Sequence, residues 1–259
     1  MDRRCKFAKD FQSTCIALHQ KPGWQFKHIV WTDICNSVIA RSQSKANEMR
    51  LACKGKKGWM SDGSRHAPEN LRGNPNVLKL AGSGTERIYW QPILMKGKLH
   101  VELLPPGFPG EMEAGSAIII QKVRFAVNVR FPDPASRPRY VCVDRGNAFY
   151  IQTTGDLTPT YRASLRDHGL RNFMGENCGS QCGQLGDALL HETAVSWIRR
   201  RERMTLPAQA WEETYEEFGV RMKGIVSDFN TRYDVCGLCH EFPERIQSLI
   251  DSGGAPLKK

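Results

Sequence analysis

Two acidic residues directly follow strand-like runs, and a third lies inside a predicted helix. Asp33 and Asp144 each end a run rich in β-branched and aromatic residues, and Glu192 falls within a helix predicted over Asp187–Arg203. Sites in open α/β sheets are built at the carboxyl ends of strands. Three carboxylates meeting there would suit two divalent cations, which activate a water or a 3′-hydroxyl for in-line attack on a phosphodiester. The competing interpretation of each Asp is a loop cap.

Positive charge is concentrated in two stretches of the chain. The sequence carries 37 Lys+Arg against 27 Asp+Glu, a formal net charge of +10. Residues 41–72 contribute +5 of this charge, and a second cluster spans Arg199–Arg203. Such clusters favour a polyanionic partner, nucleic acid above all, although a solvated face is the competing interpretation. The candidate contacts to DNA phosphates are Lys54, Lys56, Lys57, Arg199, Arg200 and Arg201.

Length and composition exclude several classes of protein. The chain has 259 residues, of which 40% are hydrophobic and 25% charged, as in globular proteins and unlike disordered or fibrous ones. No window approaches the 18–20 or so consecutive apolar residues of a membrane helix. No apolar stretch follows the first residues, so we expect no secretory signal and an intracellular, soluble protein without a membrane partner.

The nine cysteines are scattered, which favours reduced thiols over a disulfide framework. Two pairs allow another interpretation. Cys178 with Cys182, and Cys236 with Cys239, would offer four thiolates to a tetrahedral zinc if the pairs met in space. More than 50 residues separate the pairs, so a zinc site remains the lesser alternative.

Strand-like and helical runs together predict an α/β fold. Residues 40–83 form a long basic excursion rich in Gly, Ser and Asn, with little periodicity. Residues 111–131 are ambiguous, because three consecutive isoleucines favour a strand while the wider spacing permits an amphipathic helix. The remaining predicted elements are strands over 25–32, 87–90, 99–104, 139–144 and 171–174, and helices over 158–168 and 211–229.

Several motifs occur in the order found in one known family. They are Phe7-Ala8-Lys9, Trp24, Ile29–Asp33, Trp90 with Gly97-Lys98, Val143-Asp144, Asp187–Glu192 and Phe242–Ile250. In this order they resemble the catalytic domain of the mariner superfamily of cut-and-paste transposases, across nearly the whole chain.

The resemblance implies a ribonuclease-H-like fold, a mixed sheet flanked by helices. It also implies that Asp33, Asp144 and Glu192 hold two Mg²⁺ or Mn²⁺ ions in a transposase-like endonuclease. In such enzymes water attacks DNA first, and the freed 3′-hydroxyl then attacks the target. The same resemblance implies double-stranded DNA as partner and a homodimer on DNA, and we expect a nuclear location from that class of substrate.

Departures from the family pattern keep an alternative open. Ile34 follows Asp33 and Arg145 follows Asp144, where the family usually has Glu and Asn. Glu192 stands 48 positions after Asp144, more than the usual spacing, so Glu176 and Asp187 are rival third ligands. His191 is interpreted as structural. The alternative is a catalytically decayed or domesticated relative that acts as a DNA-binding module.

Three regions are expected along the chain. Residues 1–24 would be a remnant of a lead-in helix or linker, 25–205 the catalytic domain, and 206–259 a C-terminal helical extension. The residues before Asp33 are too few for the family's pair of helix-turn-helix modules. We therefore expect a truncated copy, a domesticated catalytic domain or a partial reading frame.

Overall fold

The computed structural model describes residues 29–47, 84–95, 98–144, 146–173, 194–205 and 209–234, with residues 9, 207, 247–248 and 250–253. Most of the basic excursion lies outside these residues. The candidate DNA contacts Lys54, Lys56 and Lys57 and the four cysteines of the zinc alternative lie outside them as well. None of the helices described here is both long and apolar enough to cross a membrane.

The described elements are strands and helices of one mixed α/β fold, as predicted, with four strands before the first long helix. In chain order the strands are β1 (Ile29–Thr32), β2 (Cys35–Ala40), β3 (Thr85–Met95), β4 (Lys98–Leu103), β5 (Tyr140–Cys142) and β6 (Arg171–Asn172). The helices are α1 (Glu113–Arg130), α2 (Pro159–Asp167), α3 (Ser196–Met204) and α4 (Tyr215–Arg232).

The strands form one mixed sheet. β3 pairs antiparallel with β4 on one side and with both β1 and β2 on the other. β5 adds to β1 in parallel, and β6 adds to β5 in parallel. β1 and β2 follow the same register against β3, with Thr32 opposite Ile93 and Cys35 opposite Trp90. They are therefore two halves of one long strand, interrupted for two residues.

Tertiary contacts resolve the ambiguous segment 111–131 as helix α1. Its buried positions include Ile119, Ile120, Val123 and Val127, which recur at helical spacing and pack into the core. The run of isoleucines that favours a strand thus belongs to the helix, and two of its members lie on the buried face.

Helix α2 has the boundaries that its sequence predicts. Pro159 opens the helix after Thr158, and Gly169 follows its end with φ +65°. The side chain of Thr158 donates to Ala148 O, so the first turn is capped from elsewhere. Glu113 Oε1 accepts a 2.8 Å hydrogen bond from Thr160 N, which joins the start of α1 to the start of α2 and lowers the pKa of Glu113.

Helix α4 begins four residues later than predicted. Thr214 and Glu217 form a capping box, in which each side chain accepts a hydrogen bond from the other residue's backbone N–H. The prediction of a start at Trp211 was therefore wrong.

The described part of the helix predicted over 187–203 is α3, with Ile198 buried against the core.

Buried polar contacts attach α3 and α4 to the sheet. Trp90 Nε1 donates to Ser37 Oγ at 3.0 Å, and Ser37 Oγ donates to Glu202 Oε2 in α3 at 2.9 Å. In α4, Arg221 binds both carboxylate oxygens of Glu213, each at 2.6 Å. α3 is thus fixed to β2 and β3 through Ser37, and α4 is fixed to β4 by the hydrogen bonds of Asn230 with Leu99 N and Leu99 O, each 2.8 Å.

Candidate active site

Asp33 and Asp144 lie at the carboxyl ends of two neighbouring parallel strands. β1 pairs with β5 so that Trp31 stands opposite Cys142. Continuing this register by two residues brings Asp33 level with Asp144. Successive side chains of a strand alternate between the two faces of a sheet, so both carboxylates start from the same face.

A small cavity separates these carboxylates from the loop before α1. Its volume is about 70 Å³. Its lining residues are Asp33, Ile34, Glu111, Asp144, Gly146, Ala148 and Phe149. The charged groups of this lining are three carboxylates, which give the cavity a negative charge.

Asp144 is oriented by the backbone that follows it. Gly146 N donates a 2.9 Å hydrogen bond to Asp144 Oδ1. A Cβ on Gly146 would stand 2.9 Å from the same oxygen, so a side chain there would displace the carboxylate. Burial raises the pKa of the Cys142 thiol, and the negative charge of Asp144 raises it further. Cys142 therefore stays a neutral thiol beside the carboxylate.

Glu111 is the cavity residue that the sequence analysis missed. It lies two residues before α1, is exposed, and makes no hydrogen bond or ion pair with any described residue. Its place depends on Gly110, whose φ is +68° and where an added Cβ would stand 2.9 Å from the Tyr89 hydroxyl. Phe108 is buried and packs on the Tyr89 ring, with centroids 5.3 Å apart. The available signal was an acidic residue directly after a Pro-Gly break.

The predicted basic residues of α3 have different surroundings. Arg200 is exposed and Arg199 is half-buried. Arg201 pairs with Asp228 at 2.7 Å and lies over the Trp197 ring, 5.4 Å from its centroid. Arg200 thus offers the freer charge for a phosphate, whereas Arg201 also joins α3 to α4.

The third predicted ligand, Glu192, lies outside the described residues, as do its rivals Glu176 and Asp187 and the neighbouring His191. Among the residues that are described, no three or more His, Cys, Asp or Glu side chains form a group close enough to hold a metal ion. Asp33 and Asp144 offer hard oxygen donors, the type that Mg²⁺ and Mn²⁺ bind. Two of the three predicted ligands therefore have the donor chemistry that a divalent cation requires.

The sheet order, the parallel pairing of β1 with β5 and the flanking helices define a ribonuclease-H-like fold. Solved structures of the Mos1 mariner transposase share it. The crystal structure of its catalytic domain alone matches this chain with a TM-score of 0.55 and 14% identity, covering 100% of this chain and 95% of that one. The Mos1 paired-end complex with Mn matches with a TM-score of 0.55 and 13% identity.

These similarities concern the fold. This chain spans 64% of the transposase chain in the paired-end complex and 62% in the Mos1 strand transfer complex. No family sequence model matches the chain, and no curated protein sequence is similar enough to count as a relative. The fold predicted from the mariner-like motifs is confirmed.

Proposed function

We propose that this protein is a transposase-like domain that cleaves and joins DNA strands with two divalent metal ions, Mg²⁺ or Mn²⁺. The observation that carries the proposal is the placement of Asp33 and Asp144. They follow adjacent parallel strands of a ribonuclease-H-like sheet and line one cavity. The Mos1 transposase, whose fold is similar, has been solved with Mn and with Mg.

Asp33, Asp144 and Glu192 would hold the ions in this proposal. Bound divalent ions supply a nucleophile at neutral pH and stabilise the leaving oxygen of a phosphodiester. The chain's own contribution is to fix the carboxylates. β1 and β5 set the level of both Asp residues, and Gly146 N holds Asp144 Oδ1.

Double-stranded DNA is the proposed partner. The net charge of +10 favours a polyanion, and Arg200 presents an exposed guanidinium on α3. The similar Mos1 structures include a paired-end complex with the left transposon end and a strand transfer complex. A homodimer on DNA and a nuclear location belong to the same proposal.

Nicking of supercoiled plasmid tests the chemistry directly. We expect Mn²⁺-dependent conversion of the plasmid to open circles by the parent protein and its abolition in Asp144→Asn, with DNA affinity retained or raised. Asp167→Asn is the matched control, because that carboxylate is exposed and forms an ion pair with the adjacent Arg166. Equal nicking by Asp144→Asn and the parent would refute the proposal.

A DNA-binding module without chemistry is the second candidate. The residues after the two Asp, Ile34 and Arg145, differ from the family pattern and favour it. Fluorescence anisotropy with a labelled DNA duplex at several salt concentrations would separate the two functions. Salt-dependent binding without metal-dependent nicking supports the second candidate.

A further inference from the structure

The long strand made by β1 and β2 is interrupted at Asp33 and Ile34. The register on both sides of the interruption places Asp33 opposite Pro92 and Ile34 opposite Gln91. β3 itself runs without interruption from Thr85 to Met95. The irregularity therefore lies on the strand formed by β1 and β2 and not on β3, and it coincides with Asp33, the candidate metal ligand.

Pro92 explains the interruption. Proline has no backbone N–H and so cannot donate to a strand ladder. Its carbonyl oxygen accepts a hydrogen bond from the Thr32 side chain, so this residue's polar backbone groups face β1. The pairing of β3 with β1 therefore lacks one backbone N–H donor opposite Asp33.

Side chains supply hydrogen bonds at this point. Thr32 Oγ1 donates to Pro92 O at 2.8 Å, and Gln91 Nε2 donates to Thr32 Oγ1 at 2.9 Å. Gln91 Nε2 also donates to Ile119 O in α1 at 3.1 Å. This chain of bonds, the Gln91–Thr32–Pro92 clasp, joins the end of β1 to β3 and to α1.

Stability alone does not account for the glutamine. Thr32 and Gln91 are buried, with 1% and 0% of their surfaces exposed. Gln91 Oε1 finds no hydrogen-bond donor among the described residues. A buried acceptor without a donor is unfavourable, whereas an apolar side chain of similar shape would avoid that cost. The amide nitrogen nevertheless donates to Thr32 and to Ile119 O, which points to a role in geometry.

We propose that Gln91 and Thr32 are positioning residues for Asp33. Their clasp fixes the backbone of residue 32 where the ladder is lost, and so sets the direction in which the next carboxylate leaves the sheet. This inference rests on the proposed function, in which Asp33 is a metal ligand. Neither residue lines the cavity, so both act through Asp33.

Mn²⁺ binding measured by isothermal titration calorimetry tests the clasp without any assay of activity. Thr32→Val keeps the shape and removes the hydroxyl, Thr32→Ser keeps the hydroxyl, and Gln91→Met removes the amide. We expect about tenfold weaker Mn²⁺ binding in Thr32→Val and Gln91→Met, as for other residues that orient metal ligands. Thr32→Ser should bind like the parent, and thermal midpoints confirm that each variant is folded.

Asp33→Asn separates failure of the clasp from failure of the proposed function. If Asp33→Asn loses Mn²⁺ binding while Thr32→Val and Gln91→Met bind like the parent, the clasp is refuted and the proposed function stands. Weak binding by Thr32→Ser as well would assign the effect to packing and refute the role of the hydroxyl. If Asp33→Asn binds like the parent, Asp33 is no ligand and both proposals fall. Should Thr32→Val not fold, Gln91→Met decides.

Discussion

The backbone N–H of Gly146 and Asp144 Oδ1 are 2.9 Å apart, and a Cβ on Gly146 would lie equally close to that oxygen. Gly146→Ala should therefore rotate the carboxylate of Asp144 away while leaving the core intact. We expect about tenfold weaker Mn²⁺ binding, with little change in unfolding free energy. Calorimetric titration with Mn²⁺ and urea unfolding measure the two quantities.

Gly224→Ala is the matched control for this change. Gly224 lies exposed inside α4, and among the described residues an added Cβ there would meet no atom within 4 Å apart from its neighbours and its own helix backbone. Because alanine is the better helix former, this variant should be about 0.5–1 kcal/mol more stable than the parent and bind Mn²⁺ unchanged. Unaltered Mn²⁺ binding in Gly146→Ala would contradict the role given to Gly146.

Glu111 should contribute to cation binding because it lines the same cavity as Asp33 and Asp144. We expect Glu111→Gln to weaken Mn²⁺ binding several-fold, since one negative charge near the ion is lost. The change should shrink as ionic strength rises, because exposed charges are screened. Glu212→Gln removes an exposed charge outside the cavity lining and serves as control. Equal effects of the two substitutions would show that only net charge matters.

The ion pair between Arg221 and Glu213 should be important for stability. The two side chains are 13% and 4% exposed, and Arg221 also donates to Glu202 O in α3. Removing one partner of a buried pair leaves an uncompensated charge, so Glu213→Ala should cost about 3–5 kcal/mol of unfolding free energy. Urea unfolding measures the loss. Asp167→Ala breaks an exposed pair and should cost less than about 1 kcal/mol.

The lowered pKa of Glu102 predicts that its contribution to the unfolding free energy is lost in acid. The hydrogen bond from His100 lowers the pKa of Glu102, and Lys122 lowers it further, while burial opposes both. A carboxylate whose pKa is lower in the folded protein than the value of 4.5 in the unfolded chain stabilises the fold above pH 4.5. This stabilisation is lost as the pH falls through the pKa of the folded state. Glu102→Gln should therefore cost up to about 1 kcal/mol near neutral pH. The parent and variant unfolding free energies should converge below pH 4.5. A constant difference from pH 7 to pH 3 would contradict this.

The sequence predicted the two Asp residues because each follows a short apolar run that ends in a carboxylate, a local pattern. Helix α1 was ambiguous because its buried face is decided by the sheet beneath it. Glu111 was missed because its place at the cavity depends on Gly110 and Phe108, which pack against Tyr89 of β3, far away in the sequence. The interruption at Asp33 depends on Pro92, and nothing near Asp33 in the sequence indicates it.

The two ends of the long excursion between β2 and β3 are held together by backbone pairing. Ala40 is paired with Thr85, and Arg41 N donates to Gly84 O at 2.9 Å, so the two strands are joined before the chain departs. The entropic cost of closing a loop grows only with the logarithm of its length. Insertions or deletions between these two residues can therefore accumulate at little thermodynamic cost while Asp33, seven residues before Ala40, keeps its place. The connection between β2 and β3 can therefore change in length and sequence without moving Asp33, whose position must stay accurate.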